Sequence, residues 1–129
     1  ITNAMLDKRT ILLVEDDTLV SQLYARRLEG AGVRVVTAFN GAEGLEKLKE
    51  ENADLILLDL QMPKMNGYEM LKRVRESEET HDIPAMILTN VDYPAQAVEE
   101  VKQLGVAGYF IKSNTSSKEL VEKINTYFE

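Results

Sequence analysis

No cysteine and no tryptophan occur in the 129 residues. The first absence rules out disulfides, thiolate metal sites and cysteine nucleophiles. The single histidine, His81, lies in the polar stretch Ser77 to Asp82 and reads as a surface residue. Histidine triads and multi-histidine metal sites are excluded by count. Long apolar runs are missing as well: nothing approaches the roughly 20 uninterrupted apolar residues that span a bilayer. The start, Ile1-Thr2-Asn3-Ala4-Met5, carries neither the basic nor the apolar region of a signal peptide. Met5 reads as a natural start with Ile1 to Ala4 as a remnant ahead of it, so one domain is expected over 5–129. A cytoplasmic location is the expectation. Positive charge is scarce: 15 Lys+Arg against 22 Asp+Glu give a net charge of −7. A domain that grips nucleic acid by itself usually shows the opposite balance. The glycine-rich phosphate loops GxGxxG and GxxxxGK[ST] are also absent, which disfavours dinucleotide and nucleoside-triphosphate binding.

What is present fits one globular domain: 44% hydrophobic and 29% charged residues, with no linker, repeat or low-complexity stretch. Short apolar runs alternate with helical patterns. Strands are expected at Thr10 to Val14, Val33 to Ala38, Asp54 to Leu60, Ala85 to Thr89, and from near Val106 to Ile111. Continuous apolar runs such as Leu55-Ile56-Leu57-Leu58 mark strands buried on both faces. After Asp17, which reads as a helix cap, Val20, Leu23, Tyr24 and Leu28 recur at helical spacing and Gly30 to Gly32 ends the pattern. Asn40 to Glu43 has capping-box spacing, ahead of Leu45 and Leu48. Asn66 caps a third helix carrying Leu71 and Val74. Pro94 suits the first turn of a fourth, carrying Val98, Val101 and Leu104. Ser116 to Glu119 is a capping box for a fifth, carrying Leu120, Val121, Ile124 and Phe128. Strands separated by helices are parallel, so the order βα repeated five times predicts a doubly wound α/β domain. Its first and third strands belong in the middle. Ligands of such sheets bind beyond the carboxyl ends of the strands.

Those ends carry chemistry. The first strand runs into Glu15-Asp16-Asp17, the third into Asp59, the fourth into Thr89-Asn90 and the fifth into Lys112-Ser113. Three carboxylates meeting at adjacent strand ends, Glu15, Asp16 and Asp59, repel one another and so recruit a proton or a cation. All-oxygen donors without Cys or His select a hard ion, Mg²⁺ first, which joins one or two carboxylates to a phosphate. Lys112 supplies a point charge for a phosphoryl oxygen and Thr89 a hydroxyl donor. Asp59 is then the candidate nucleophile, since aspartate forms acyl phosphates.

The motifs Ile-Leu-Leu-Val-Glu-Asp-Asp at 11–17, Asp-Leu-Ile-Leu-Leu-Asp-Leu-Gln-Met-Pro-Lys-Met-Asn-Gly at 54–67, Ile-Leu-Thr at 87–89 and Gly-Tyr-Phe-Ile-Lys at 108–112 resemble the receiver domain of two-component response regulators. The resemblance runs from about Arg9 to Phe128. It implies a flavodoxin-like fold with strand order 2-1-3-4-5. It implies Asp59 as phosphoacceptor, Asp16 as a direct Mg²⁺ ligand and Glu15 acting through water. The Gln61 main-chain carbonyl is a further ligand, Thr89 and Lys112 the switch hydroxyl and phosphate-contacting lysine, and Tyr109 the aromatic switch. Gly67 lets the next helix approach. The implied phosphoryl donor is a phosphohistidine on a sensor histidine kinase or histidine phosphotransfer protein. The implied output is a switched surface of fourth helix, fifth strand and fifth helix, used for an effector, a fused output domain or a homodimer.

Two positions depart from the family's pattern. Ser113 follows Lys112 where proline is usual, so that peptide is expected trans, or cis only under strain, because a cis bond before a non-proline costs roughly 2.5–4 kcal/mol. Asn90 follows Thr89 where a smaller residue is usual, and its amide stands where it bears on attacking water or on the phosphoryl group. Three function classes compete. The first is the phosphorylation-switched signalling domain, which catalyses only its own phosphorylation and slow dephosphorylation. The second is a phosphorylation-independent interaction module of the same fold. The third is a small phosphatase, which wants a second acid two residues after the nucleophile; Gln61 stands there instead.

Overall fold

The alternation of apolar runs and helical patterns folds as the alternation demands. In a computed structural model describing residues 5–90 and 92–129, the order is β1 (Thr10–Val14), α1 (Thr18–Gly30), β2 (Arg34–Ala38), α2 (Gly41–Glu50), β3 (Leu55–Leu58), α3 (Gly67–Glu76), β4 (Ala85–Thr89), α4 (Ala95–Gln103), β5 (Gly108–Ile111) and α5 (Ser117–Tyr127). A short 3-10 turn, Lys112–Asn114, links β5 to α5. Ile1 to Ala4 lie outside the described residues. The five strands are parallel in the order β2-β1-β3-β4-β5. Among the described residues, no helix is long and apolar enough to cross a membrane.

Period-two alternation splits the core into two layers. Ile11 and Leu13 of β1, Leu55 and Leu57 of β3, and Met86 and Leu88 of β4 pack on one side with Tyr24 and Leu28 of α1 and Leu120, Val121 and Ile124 of α5. Their neighbours Leu12 and Val14, Ile56 and Leu58, and Ala85 and Ile87 pack on the other side with Met70, Leu71 and Val74 of α3 and Val101 of α4. Every residue of β3 and β4 is buried, which is why both read as unbroken apolar runs.

Caps place the helix starts. Asp17 Oδ1 accepts from the Leu19 and Val20 amides, and Asn66 from that of Glu69. Ser116 and Glu119 close a reciprocal capping box. The Asn40 box is only half as expected: Asn40 accepts from the Glu43 amide, but the Glu43 carboxylate reaches past Asn40 to the Phe39 N–H at 2.6 Å. Pro94 precedes α4 as its cap rather than lying in its first turn, and supplies no side-chain bond.

Several boundaries shift. β3 excludes Asp54, whose carboxylate accepts the Thr10 amide at 2.8 Å, and ends before Asp59 and Leu60. β5 begins at Gly108 rather than near Val106. Arg34 opens β2, one residue later than expected, since the Val33 amide is spent on the Leu28 carbonyl. Leu23 is not part of the buried stripe of α1. It is 55% exposed and Ser21 is buried in the turn before it. Gly67 is required by close approach: a Cβ there would meet the Asp59 carbonyl and lie 2.8 Å from Leu60 Cα. That contact seats α3 against the backbone that carries Asp59.

Candidate functional site

The carboxyl end of the sheet brings together the polar residues that the strand ends carry. β1 delivers Glu15 and β3 delivers Asp59, which are 2% and 4% exposed. The Lys112 ammonium, at the end of β5, bridges them, 2.6 Å from Glu15 Oε1 and 3.1 Å from Asp59 Oδ2. The Asp17 amide donates to Glu15 Oε2 at 3.0 Å, and the Gln61 amide to Asp59 Oδ1 at 3.2 Å. Asp16 is exposed. Glu15, Asp16 and Asp59 each place a carboxylate oxygen within 4.8 Å of the others, a group able to hold a metal ion.

Electrostatics make this corner unbalanced. Three carboxylates face one ammonium, so full ionisation leaves two uncompensated negative charges. Burial pushes Glu15 up to about 7, against the opposing hydrogen bonds from Lys112 and the Asp17 amide. Burial also pushes Asp59 above its ordinary range, with the Lys112 charge pulling the other way. For Lys112, burial favours the neutral form, but the Glu15 hydrogen bond and the Asp59 and Glu15 charges outweigh it and hold its pKa above the usual lysine value. A buried acid pair with a raised pKa is a site waiting for a proton or a cation. The all-oxygen donor set and the residual negative charge fit a hard divalent ion.

Thr89, the last residue of β4, is fully buried, and its Oγ1 has no hydrogen-bond partner among the described residues. An unpaired buried hydroxyl costs about 1–3 kcal/mol, so it marks a position held for something other than stability. Tyr109 lies on β5 beside Ile87 of β4, partly buried against the layer that contains Val101. Its phenol is pushed up by burial and by the neighbouring Tyr93. The Lys112–Ser113 peptide is trans, since the described residues contain no cis bond, and Lys112 still reaches both acids.

All seven residues singled out in the sequence thus lie at or beside the carboxyl edge. Glu15, Asp16, Asp59 and Lys112 converge directly. Gln61 is tied in through its amide, with Thr89 one strand along and Tyr109 on the outer strand. Three features had no sequence signal. Asn90 Nδ2 donates to Gln61 Oε1 at 3.0 Å, which joins the loops after β3 and β4 over the site. The Lys102 ammonium lies 5.4 Å from the Tyr109 ring centroid. Leu19, 77% exposed, and Leu23 leave apolar surface on α1 next to the acid pair.

Comparison with known proteins places this arrangement in a family. The model of the response regulator receiver domain matches residues 11–125, so the chain belongs to that family, the receiver domains of two-component systems. Hybrid signal transduction histidine kinase D of Dictyostelium discoideum is 37% identical over 122 residues, covering 92% of this chain and 7% of that protein. The chain therefore spans a small part of that relative's length. The polar-differentiation response regulator DivK of Brucella anthropi is 29% identical over 119 residues, covering 92% of this chain and 95% of that one. Among solved structures, a CheY-like response regulator receiver domain protein of Methanospirillum hungatei superposes with a TM-score of 0.85 at 26% identity, covering 95% and 94% of the two chains. The chemotaxis response regulator CheY4 of Vibrio cholerae does so with a TM-score of 0.83 at 29% identity, covering 93% and 98%.

Proposed function

We propose that the chain is a phosphoacceptor switch of a two-component phosphorelay, that Asp59 receives the phosphoryl group, and that the reaction depends on Mg²⁺. The observation that carries this reading is the buried Asp59 carboxylate clamped by Lys112 beside Glu15 and Asp16, with an unpartnered Thr89 hydroxyl one strand away. A phosphorylation-independent interaction module would have no use for this unbalanced charge.

The chemistry follows from the residues. The ionised Asp59 carboxylate attacks the phosphorus of a partner phosphohistidine in line. A P–O bond forms, the P–N bond breaks, and the imidazole leaves with a proton from solvent. Lys112 stands within reach of the equatorial oxygens and neutralises their charge. Mg²⁺, held by Asp16 and Asp59 with the Gln61 carbonyl and by Glu15 through water, would supply further charge neutralisation. Thr89 finds in a phosphoryl oxygen the partner it lacks. Its movement opens volume for Tyr109 and shifts the surface formed by α4, β5 and α5. That surface then serves an effector, an output domain or a second copy.

The partner is a sensor histidine kinase or a histidine phosphotransfer protein. Exposed Leu19 and Leu23, one turn apart on α1 and directly after the acid pair, offer it an apolar contact. The chain turns over no external substrate beyond its own phosphorylation and slow hydrolysis, works in the cytoplasm and, with a net charge of −7, makes no direct contact with nucleic acid. Incubation with acetyl phosphate and Mg²⁺ tests the reading. Wild type should gain one phosphoryl group, and Asp59→Asn none; equal labelling of both would defeat the proposal.

A further inference from the structure

We propose that Lys102 is a positioning residue for Tyr109: its ammonium holds the aromatic ring where it stands in the unphosphorylated chain and so sets how much phosphorylation is needed to move the switch. The inference rests on the proposed phosphoacceptor reading and names the element that tunes it.

Lys102 lies in the last turn of α4. Glu99 stands three residues before it, at the spacing where a helical ion pair forms. No carboxylate lies within ion-pair distance of Lys102 among the described residues; the ammonium stands 5.4 Å from the Tyr109 ring centroid instead. That is within cation–π range. The ring is therefore held from two sides. It belongs to the layer beneath α4 that also contains Tyr93, Val101 and Leu104, and one ring face meets a cation.

The Thr89 hydroxyl makes no bond to the ring. Tyr109 pairs with Ile87, two residues before Thr89 on β4 and on the same face. The separation along the strand is about 7 Å, within reach of a tyrosine ring. Thr89 Oγ1 has no partner, so no Tyr109–Thr89 hydrogen bond anchors the ring. A move of the ring toward Thr89, once Thr89 is drawn to a phosphoryl group, takes the ring face away from the ammonium. The contact exists in one state and not in the other, which is the condition for a group to bias an equilibrium. At an exposed site a cation–π contact is worth a factor of about two to five in population. Because α4 and β5 carry the partners of this contact, Lys102 also ties the two elements whose relation forms the output surface.

The test uses Lys102→Gln and Lys102→Arg beside wild type, with beryllofluoride and Mg²⁺ as the phosphoryl mimic and Tyr109 ring signals as the readout. Lys102→Gln should move the free protein's Tyr109 signals toward their beryllofluoride-bound positions. By reciprocity it should tighten apparent beryllofluoride affinity by the same factor, about two- to fivefold. Lys102→Arg keeps a cation over the ring and should stay close to wild type. If Tyr109 of wild type responds but Lys102→Gln matches it in both measurements, this inference is wrong and the phosphoacceptor reading stands. If Lys102→Arg behaves like Lys102→Gln, the charge is not the holding element and the inference is again overturned. If wild-type Tyr109 does not respond at all, the switch in the proposed function fails and this inference fails with it.

Discussion

The two edges of one sheet are built on opposite terms. At the amino edge, the charged groups are paired off, although the buried Asn125 Oδ1 near the end of α5 has no partner among the described residues. Arg75 donates to the carbonyls of Leu104, His81, Ile83 and Gly105 at 2.7–3.1 Å, closing the loops before β4 and β5. Arg9 lies 4.0 Å over the Phe128 ring and donates to the Met5 carbonyl, and Asp54 accepts the Thr10 amide. At the carboxyl edge, Glu15 is driven to about 7, one ammonium pairs with two of three clustered acids, and the Thr89 hydroxyl is buried without a partner. One edge pairs its charged groups and holds the fold. The other leaves its acids short of positive charge, the condition that a cation or a proton relieves. The strain is affordable because two continuous apolar layers lie beneath it.

The largest expected effect comes from removing the ammonium that bridges the two buried acids. Lys112→Met should slow Asp59 phosphorylation by acetyl phosphate by about 10²–10³-fold, the usual loss for one charge-stabilising group. Single-time-point mass spectrometry over a concentration series would measure it, and a rate within threefold of wild type would remove Lys112 from the chemistry. The matching change at the other edge has the reverse signature. Arg75→Ala strips four carbonyls of their donor and should lower unfolding free energy by about 2–3 kcal/mol in urea. Its phosphorylation rate should remain near wild type, because nothing in that cluster touches Asp59.

A further effect, at most about 3 kcal/mol, should appear in the pH dependence of stability. Unfolded, Glu15 titrates near 4.5; folded, it titrates near 7. Between those values the folded chain binds the extra proton. The Glu15 contribution is thus fully present below pH 4.5 and drains away as pH rises through 7. The raised Asp59 acts in the same sense. Chelator-treated wild type should therefore lose stability relative to Glu15→Gln across pH 4.5 to 7, and Mg²⁺ should shrink the difference. Parallel pH profiles would show that Glu15 is not titrating in this window. The smallest effect concerns the Asn90–Gln61 bridge over the site. Asn90→Ala breaks one hydrogen bond and should shorten the acyl-phosphate lifetime about two- to fivefold. A longer lifetime would mean that the Asn90 amide assists hydrolysis instead of shielding the acyl phosphate from it.

The contrast also explains what could be read from residues alone. Both apolar layers announce themselves as unbroken runs, so strand identity, the inner place of β1 and β3 and the convergence of Glu15, Asp59 and Lys112 are legible in the residues, while the full strand order is legible only through the family resemblance. Helix caps were legible wherever the bond is local, as at Asn66 and Ser116. The misreadings have physical causes. Leu23 falls on the helical spacing of α1 yet is exposed, because spacing alone does not tell that Ser21 takes the buried place. Glu43 bonds Phe39 instead of Asn40, a one-residue choice that spacing does not encode. The Asn90–Gln61 bridge and the Lys102–Tyr109 contact join residues 29 and 7 positions apart through tertiary placement, so neither leaves a periodic signal.

The central claim is that the carboxyl edge exists to load a phosphoryl group onto one named side chain. Borohydride trapping tests it most directly. An aspartyl phosphate is reduced to homoserine, which peptide mass spectrometry locates by residue. After acetyl phosphate and Mg²⁺, the account predicts homoserine at position 59, lost when Mg²⁺ is chelated. Homoserine at another aspartate, or a stable phosphoryl group on His81 with position 59 unmodified, would contradict it.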